Sequence, residues 1–413
     1  MVPNGWSAAQ FGELADFKSG GTPSKQNASY WGGEEPWISG KDLKSHYLYR
    51  SIDQLTTEGF HIAKKAPLGA SLILVRGMTL LKDFPVGYAT REVAFNQDIK
   101  ALLAKTNVDG LFLSFLLVGN KHKIKSLVTT AGHGTGRLDT DSLKEFPVDL
   151  PPLSEQRKIA QILSTWDKAI ATTEKLIDTS KQQKKALMQQ LLTGKKRLVN
   201  PETGKAFEGD WEEVKLSHFF DRVTEKNKGQ STNVVTISAQ HGLIRQEEFF
   251  KKSVASDTLD NYFILRKGQF AYNKSYSNGY PMGAIKRLNR YEDAVVTSLY
   301  ICFELKNEQL ASSCFMEQYF ESGLLNRGLT KVAAEGGRAH GLLNVKPSDF
   351  MALSITAPKF DEQQKIASVL TAADKEIEVL EAKLAHFKQE KKALMQQLLT
   401  GKRRVKVEEM EVA

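Results

Sequence analysis

The sequence predicts an α+β protein with two globular domains of mixed strands and helices, separated by two long antiparallel coiled-coil helices, the whole an internal repeat with pseudo-two-fold symmetry. Three observations predict it. The segment KKALMQQLLTG at 184–194 recurs letter for letter at 391–401, an offset of 207 residues (391 − 184). Each copy lies on a long apolar seam with alternating steps of four and three. In front of each seam, residues 1–150 and 210–357 carry the same landmarks in the same order. A repeat of this kind outranks any local signal in reading a fold.

The first globular stretch opens on Trp6 and the amphipathic run Phe11-Gly12-Glu13-Leu14, and the second on Trp211 and Leu216-Ser217-His218-Phe219. A β-like run ending in Ile-Ser follows in each, Pro36-Trp37-Ile38-Ser39 and Val235-Thr236-Ile237-Ser238. Next come a glycine and an apolar run closed by a cation (69–76 and 268–274), then an aromatic-Pro-x-Gly string (84–87 and 280–283). Last come His133-Gly134 and His340-Gly341, again 207 apart. Short β-branched runs at 71–75, 294–297 and 300–305 alternate with helical stretches at 109–117 and 310–323. Such uneven strands predict an α+β domain rather than a doubly wound sheet.

The first seam runs Ile159, Leu163, Trp166, Ile170, Thr173, Ile177, Ser180, Lys184, Leu187, Leu191. The second runs Ile366, Leu370, Ala373, Ile377, Leu380, Leu384, Phe387, Lys391, Leu394, Leu398. This heptad spacing is that of a helix packed lengthwise on another helix, and the two are expected to pair with each other. Ser154 and Asp361 are expected as N-caps, and Gly194 and Gly401 as the left-handed residues past the last turn. The helix segments are placed at 151–197 and 358–404, and about 40 helical residues in each would make a rod roughly 60 Å long. Residues 198–209 read as a linker, and 405–413 as a loose tail.

The chain has 413 residues, room for two or three domains, and a formal charge of +9 that leans toward an anionic partner. Its two cysteines, Cys302 and Cys314, have no ligand-like spacing. No apolar run reaches membrane-spanning length and no signal peptide is evident, so a cytoplasmic protein is expected.

Catalytic signatures are not found. No GxxxxGK[ST] phosphate loop occurs, and the glycine cluster 132–136 is not set between a strand and a helix. No string resembles the Asn-Pro-Pro-Tyr type used to hold a flipped base. The domains offer instead polar, cationic and aromatic groups suited to DNA. In the first domain these are Lys18, Ser19, Gly20, Gly21, Thr22, Ser24 and Lys25 in one basic loop, with Trp37, Ser39, Lys41, Arg76, Lys82 and Arg137. In the second they are Ser238, Gln240, His241, Asn273, Lys274, Tyr276, Arg287, Arg338 and His340.

With KALMQQLLTG recurring after each globular stretch, the sequence resembles the specificity (S) subunits of type I restriction-modification enzymes over its full length. Pro-Leu-Ser-Glu-Gln-Arg-Lys-Ile-Ala opening the first seam, Leu-Leu-Thr-Gly closing it, and Pro36-Trp37-Ile38-Ser39-Gly40-Lys41-Asp42-Leu43 resemble that family's signatures. The second domain departs from the last of these, carrying Val235-Thr236-Ile237-Ser238. The resemblance implies a non-catalytic subunit with two target-recognition domains, each reading half of a split sequence in double-stranded DNA, with the helices as a ruler. It implies two methyltransferase (M) subunits carrying S-adenosylmethionine, and restriction (R) subunits supplying ATP- and Mg-dependent chemistry, with no cofactor or metal on this chain. For helix pairing and partner docking it points to Ile159, Leu163, Trp166, Ile170, Leu187, Leu191, Leu192, Ile366, Leu370, Ile377, Leu384, Leu394, Leu398 and Leu399. A stand-alone nuclease or methyltransferase dimerised by its helices, and a scaffold without DNA affinity, are the competing classes.

Overall fold

The structure is a computed structural model that describes residues 2–131, 134–249, 258–333 and 343–407. The chain forms two compact units that are not consecutive in sequence: Met1–Glu174 with Ala382–Ala413, and Lys175–Glu381. Each long helix is uninterrupted, Leu153–Leu191 and Phe360–Leu398, 39 residues apiece. The N-terminal half of one therefore belongs to the same unit as the C-terminal half of the other. Both helices begin just before the expected caps, so Ser154 and Asp361 stand inside the first turn instead. At the other end Gly194 (φ +68°) and Gly401 (φ +65°) take the left-handed conformation. The amides of Lys196 and Arg403 then reach back to the carbonyls of Gln190 and Gln397, both at 3.1 Å, closing the helix ends.

In the first unit a five-stranded sheet has the order Ala15–Ser19, Ile99–Ala104, Ser71–Leu74, Val86–Ala89, Tyr47–Leu48. Strands Ser7–Gln10 and Pro147–Leu150 pair antiparallel where the chain leads toward the first long helix. The helix Gly110–Gly119, capped by the Asp109 carboxylate on the Phe112 amide at 2.8 Å, packs its phenylalanines and leucines into the core. Ile159 and Leu163 of the first long helix and Leu398 and Leu399 of the second complete that core. Two smaller sheets stand beside it, one around Trp31–Ile38 and one joining Val128–Ala131, Thr135–Leu138 and Arg76–Gly77.

The second unit repeats this plan with fewer strands. Its main sheet has the order Phe220–Val223, Ile301–Leu305, Phe270–Asn273, Ala284–Arg287, so the expected match of 69–76 to 268–274 holds strand for strand. Glu212–Lys215 pairs with Ser354–Ala357 as Ser7–Gln10 does with Pro147–Leu150. The helix Ser313–Glu321 starts later than the sequence suggests because the Ser312 hydroxyl caps the Phe315 amide. Met188, Leu191, Leu192, Ile366 and Leu370 enter this unit's core. The 198–209 stretch turns back on itself through a bridge between Val199 and Ala206.

Within each unit the two helix halves run antiparallel and are tied by equivalent ion pairs. Lys391 meets Asp167 at 2.5 Å and Lys388 meets Glu174 at 2.7 Å in the first unit. In the second, Lys184 meets Asp374 at 2.5 Å and Lys181 meets Glu381 at 2.6 Å. Lys184 and Lys391, expected on an apolar seam, thus pair with carboxylates whose own domains hold them further. Tyr47 donates to Asp167 at 3.2 Å, and Gln318 to Asp374 at 2.7 Å. Domain and helix are also stitched by Gln156, which accepts the Asp109 amide at 2.9 Å, and by Gln363, which accepts the Ser312 amide at 3.0 Å. Trp166 packs edge-on against Phe387 with ring centres 5.5 Å apart.

Candidate nucleic-acid interface

Trp37 and Ser39 are buried, at 4% and 7% exposure, and build the first domain rather than face a ligand. The Trp37 amide donates to Ser51 Oγ at 2.8 Å, and its indole N–H to the Gly21 carbonyl at 3.1 Å. The hydroxyl and amide of Ser39 both donate to Asp42, whose other oxygen accepts the Ile52 amide. The Pro36–Leu43 string is therefore a turn lock, because each buried polar atom must find a partner inside. Lys41 is exposed, 3.8 Å from Asp53.

The 18–25 loop is pinned, not flexible. The Gly21 amide donates to the Phe95 carbonyl at 2.9 Å, and a Cβ on Gly20 would stand 2.1 Å from the Asn96 carbonyl oxygen, so only glycine fits. Ser19 Oγ accepts from Lys100 at 2.6 Å, and Thr22 donates to Gln97 at 2.5 Å. Lys18 and Ser24 are exposed. The Lys25 ammonium lies 5.9 Å from the ring centres of both Trp31 and Trp37, a cation held by aromatic faces.

A sharper electropositive feature is the small sheet of the first unit. Its register sets Arg76 directly opposite Arg137. Both are exposed, and among the described residues neither guanidinium has an ion-pair or hydrogen-bond partner. Arg137 contributes only a secondary pull on Asp139, whose carboxyl is lowered chiefly by its bonds to Ser142. Like charges opposed across strands repel by about 0.2–1 kcal/mol. A polyanion relieves that repulsion. The one-turn helix Met78–Leu81 packs on this sheet and leads to exposed Lys82, whose carbonyl accepts from Lys125 at 2.8 Å, while Lys121 pairs with Asp83 at 3.2 Å. The lysines at 121–125 (KHKIK) were missed in the sequence, although the run of cations there was a readable signal.

In the second unit Ser238 is buried and its hydroxyl accepts the His241 amide, so it shapes the hairpin that exposes Gln240 and His241 at its turn. Asn273 folds its side chain onto the Ser275 amide and the Lys274 carbonyl accepts from Leu343, while Tyr276 is exposed. Arg287 is turned inward: its guanidinium pairs with Glu317 at 2.6 Å and donates to Ser313. Arg245 and Arg290, which the sequence reading passed over, both lie against the ring of Tyr291, at 5.5 and 5.7 Å. Arg338, His340 and His133 lie outside the described residues. No group of three or more metal-ligating side chains occurs among the described residues, and no helix there is long and apolar enough to cross a membrane.

Residues 3–181 match the family model described as the type I restriction modification DNA specificity domain. The chain is 26% identical to the type I restriction enzyme MjaVIII specificity subunit of Methanocaldococcus jannaschii, over 98% of this chain and 94% of that one. It is 30% identical to the EcoR124I/EcoR124II specificity subunit of Escherichia coli over 38% of this chain and 39% of that one. Residues 3–181 thus carry the type I specificity domain, and over its whole length the chain is similar to type I specificity subunits. The fold agrees with that likeness: an S subunit from M. genitalium superposes with a TM-score of 0.60 at 16% identity, covering 97% of this chain and 99% of that one.

The helix leucines expected to serve both pairing and docking need one correction. Leu191, Leu192, Leu398 and Leu399 are buried in the chain's own cores, with Leu187 and Leu394 packed against them. Ile159, Leu163, Ile366 and Leu370 are fully buried, Ile177 and Ile377 nearly so, and Ile170 and Leu384 partly. Burying an aliphatic side chain contributes about 1.5–3 kcal/mol, so these side chains hold the chain's own cores together rather than standing free for a partner.

Proposed function

We propose that this chain is the non-catalytic DNA-reading subunit of a cytoplasmic type I complex, with each of its two units reading one half of a bipartite duplex target. The observation that carries the reading is the exposed Arg76–Arg137 pair, set opposite each other across the strands with no hydrogen-bond or ion-pair partner for either guanidinium among the described residues. Phosphate contacts from these arginines and from Lys82 would position the first unit, and base edges would be read from the loops beside them. The hairpin turn at Gln240 and His241 and the loop at Lys274 and Tyr276 are the corresponding groups of the second unit.

Two methyltransferase subunits would dock on the solvent-facing sides of the long helices, because the apolar seam is already filled. S-adenosylmethionine would be carried by those subunits, and ATP with Mg by the restriction subunits. Mapping methylated adenines in a host with and without this chain tests the reading. A split motif that disappears with the chain is expected, and exchanging residues 210–357 should change one half of it only. Purified chain that binds duplex DNA with no dependence on salt would overturn it.

A further inference from the structure

The cationic sheet of the first unit carries a group that phosphate binding does not use. Met78, at the start of the one-turn helix Met78–Leu81, is 74% exposed, the most exposed large apolar side chain among the described residues. Leu81 of the same turn is 40% exposed. Water disfavours both, and the core is within reach: Leu80, between them, is fully buried.

The backbone holds this arrangement in place. Gly77 precedes Met78 with φ +150°, a conformation that side-chain-bearing residues rarely adopt, and it pairs with Gly136 across the strands. A Cβ on Gly136 would lie 2.9 Å from Leu80 Cβ and 3.3 Å from a Leu81 methyl, so the turn seats closely only over glycine. Arg76 lies two residues before Met78, and Lys82 directly follows Leu81. The apolar turn is thus bracketed along the chain by the cations assigned to phosphates.

Resting on the reading of this unit as a DNA reader, we propose that Met78 is a specificity-determining residue that reads the C5-methyl group of a thymine in the major groove, with Leu81 lining the same contact. An apolar side chain distinguishes thymine from other bases in that groove by its methyl group. The unbranched thioether of methionine adapts to such a small apolar target better than a branched side chain. The flanking cations hold the probe against the duplex and carry no base information themselves.

The test uses the full chain and the duplex containing its methylation-mapped target, in two forms: all thymine, and deoxyuridine in place of each thymine of one half-site, which removes only the methyl group. Wild type is expected to bind the substituted duplex about fourfold more weakly when the first unit's half is altered, the worth of about one buried methyl group. Met78→Ala should bind both duplexes equally, with its salt dependence unchanged. Equal binding of both duplexes by the wild type overturns the proposal, as does a Met78→Ala chain that still discriminates between them. Tighter binding to a duplex with a mismatched, unstacked step there would mark Met78 as a wedge instead, and also overturns it. Arg76→Gln/Arg137→Gln separates this from the underlying reading: it should flatten the salt dependence while leaving the thymine-to-deoxyuridine ratio in place. Loss of neither would mean that this surface does not meet DNA.

Discussion

Lys391 and Asp167 meet at 2.5 Å across the antiparallel helix halves of the first unit, each less than a fifth exposed, and Lys184 and Asp374 repeat the contact in the second. Two residues 207 positions from their counterparts thus perform one task twice. Because Asp167 also accepts from Tyr47, the pair joins helix to helix and helix to domain. Lys391→Met leaves a half-buried carboxylate with a single donor and should lower stability by about 2 kcal/mol. Lys391→Met with Asp167→Leu should recover part of that. Chemical denaturation of the four chains of this cycle checks both values, and additive losses would refute the coupling.

His46 lies in the same cluster, stacked on Phe115 with ring centres 5.2 Å apart and 3.2 Å from Ser114 Oγ. Burial pushes its pKa down from 6.5 to about 4, with the nearby Lys391 ammonium adding to the fall and Asp167 opposing it. The folded chain therefore refuses a proton that the unfolded chain accepts. Its contribution is fully present above pH 6.5 and is lost as the pH falls from 6.5 toward 4, by roughly 3 kcal/mol over the window. Denaturation at pH 7 and pH 5 should show about 2 kcal/mol of that loss, and His46→Phe should reduce it.

The buried carboxylates Glu155 and Glu362 open the two long helices and are each gripped by an arginine from beyond the opposite end of the repeat, Arg404 and Arg197. Glu155 also accepts the Trp6 indole N–H at 3.1 Å, whereas the indole nitrogen of Trp211 has no partner among the described residues. Arg197→Met should therefore destabilise its unit by about 2 kcal/mol, and more than Arg404→Met destabilises the other. Equal denaturation midpoints for the two variants would count against this account.

Arg76→Gln and Arg137→Gln should each reduce the slope of log affinity against log salt by about 1 and weaken binding to all duplexes alike. Trp37→Phe and Ser39→Ala should instead lower stability and leave the salt slope alone, since both side chains are buried. Filter binding over a salt series distinguishes the two groups.

The helices were legible because an exact repeat and a heptad seam are local patterns that a 39-residue α-helix expresses directly. The order of landmarks was legible for the same reason, and the strands near 71 and 270 fell where it put them. That Trp37, Ser39 and Arg287 turn inward was not legible, because residue type does not show burial. Their partners, Gly21, Asp42 and Glu317, are chosen only when the chain folds.

What the sequence determined by itself is the duplication: two helices of equal length, each after a domain with the same landmarks in the same order, because periodicity and copied letters survive in one dimension. The tertiary structure alone decided that each compact unit takes halves of both helices, and that Arg76 faces Arg137 while Trp37 turns inward. Those outcomes depend on register and on where each buried polar atom finds its partner, and both are properties of chain segments far apart in sequence.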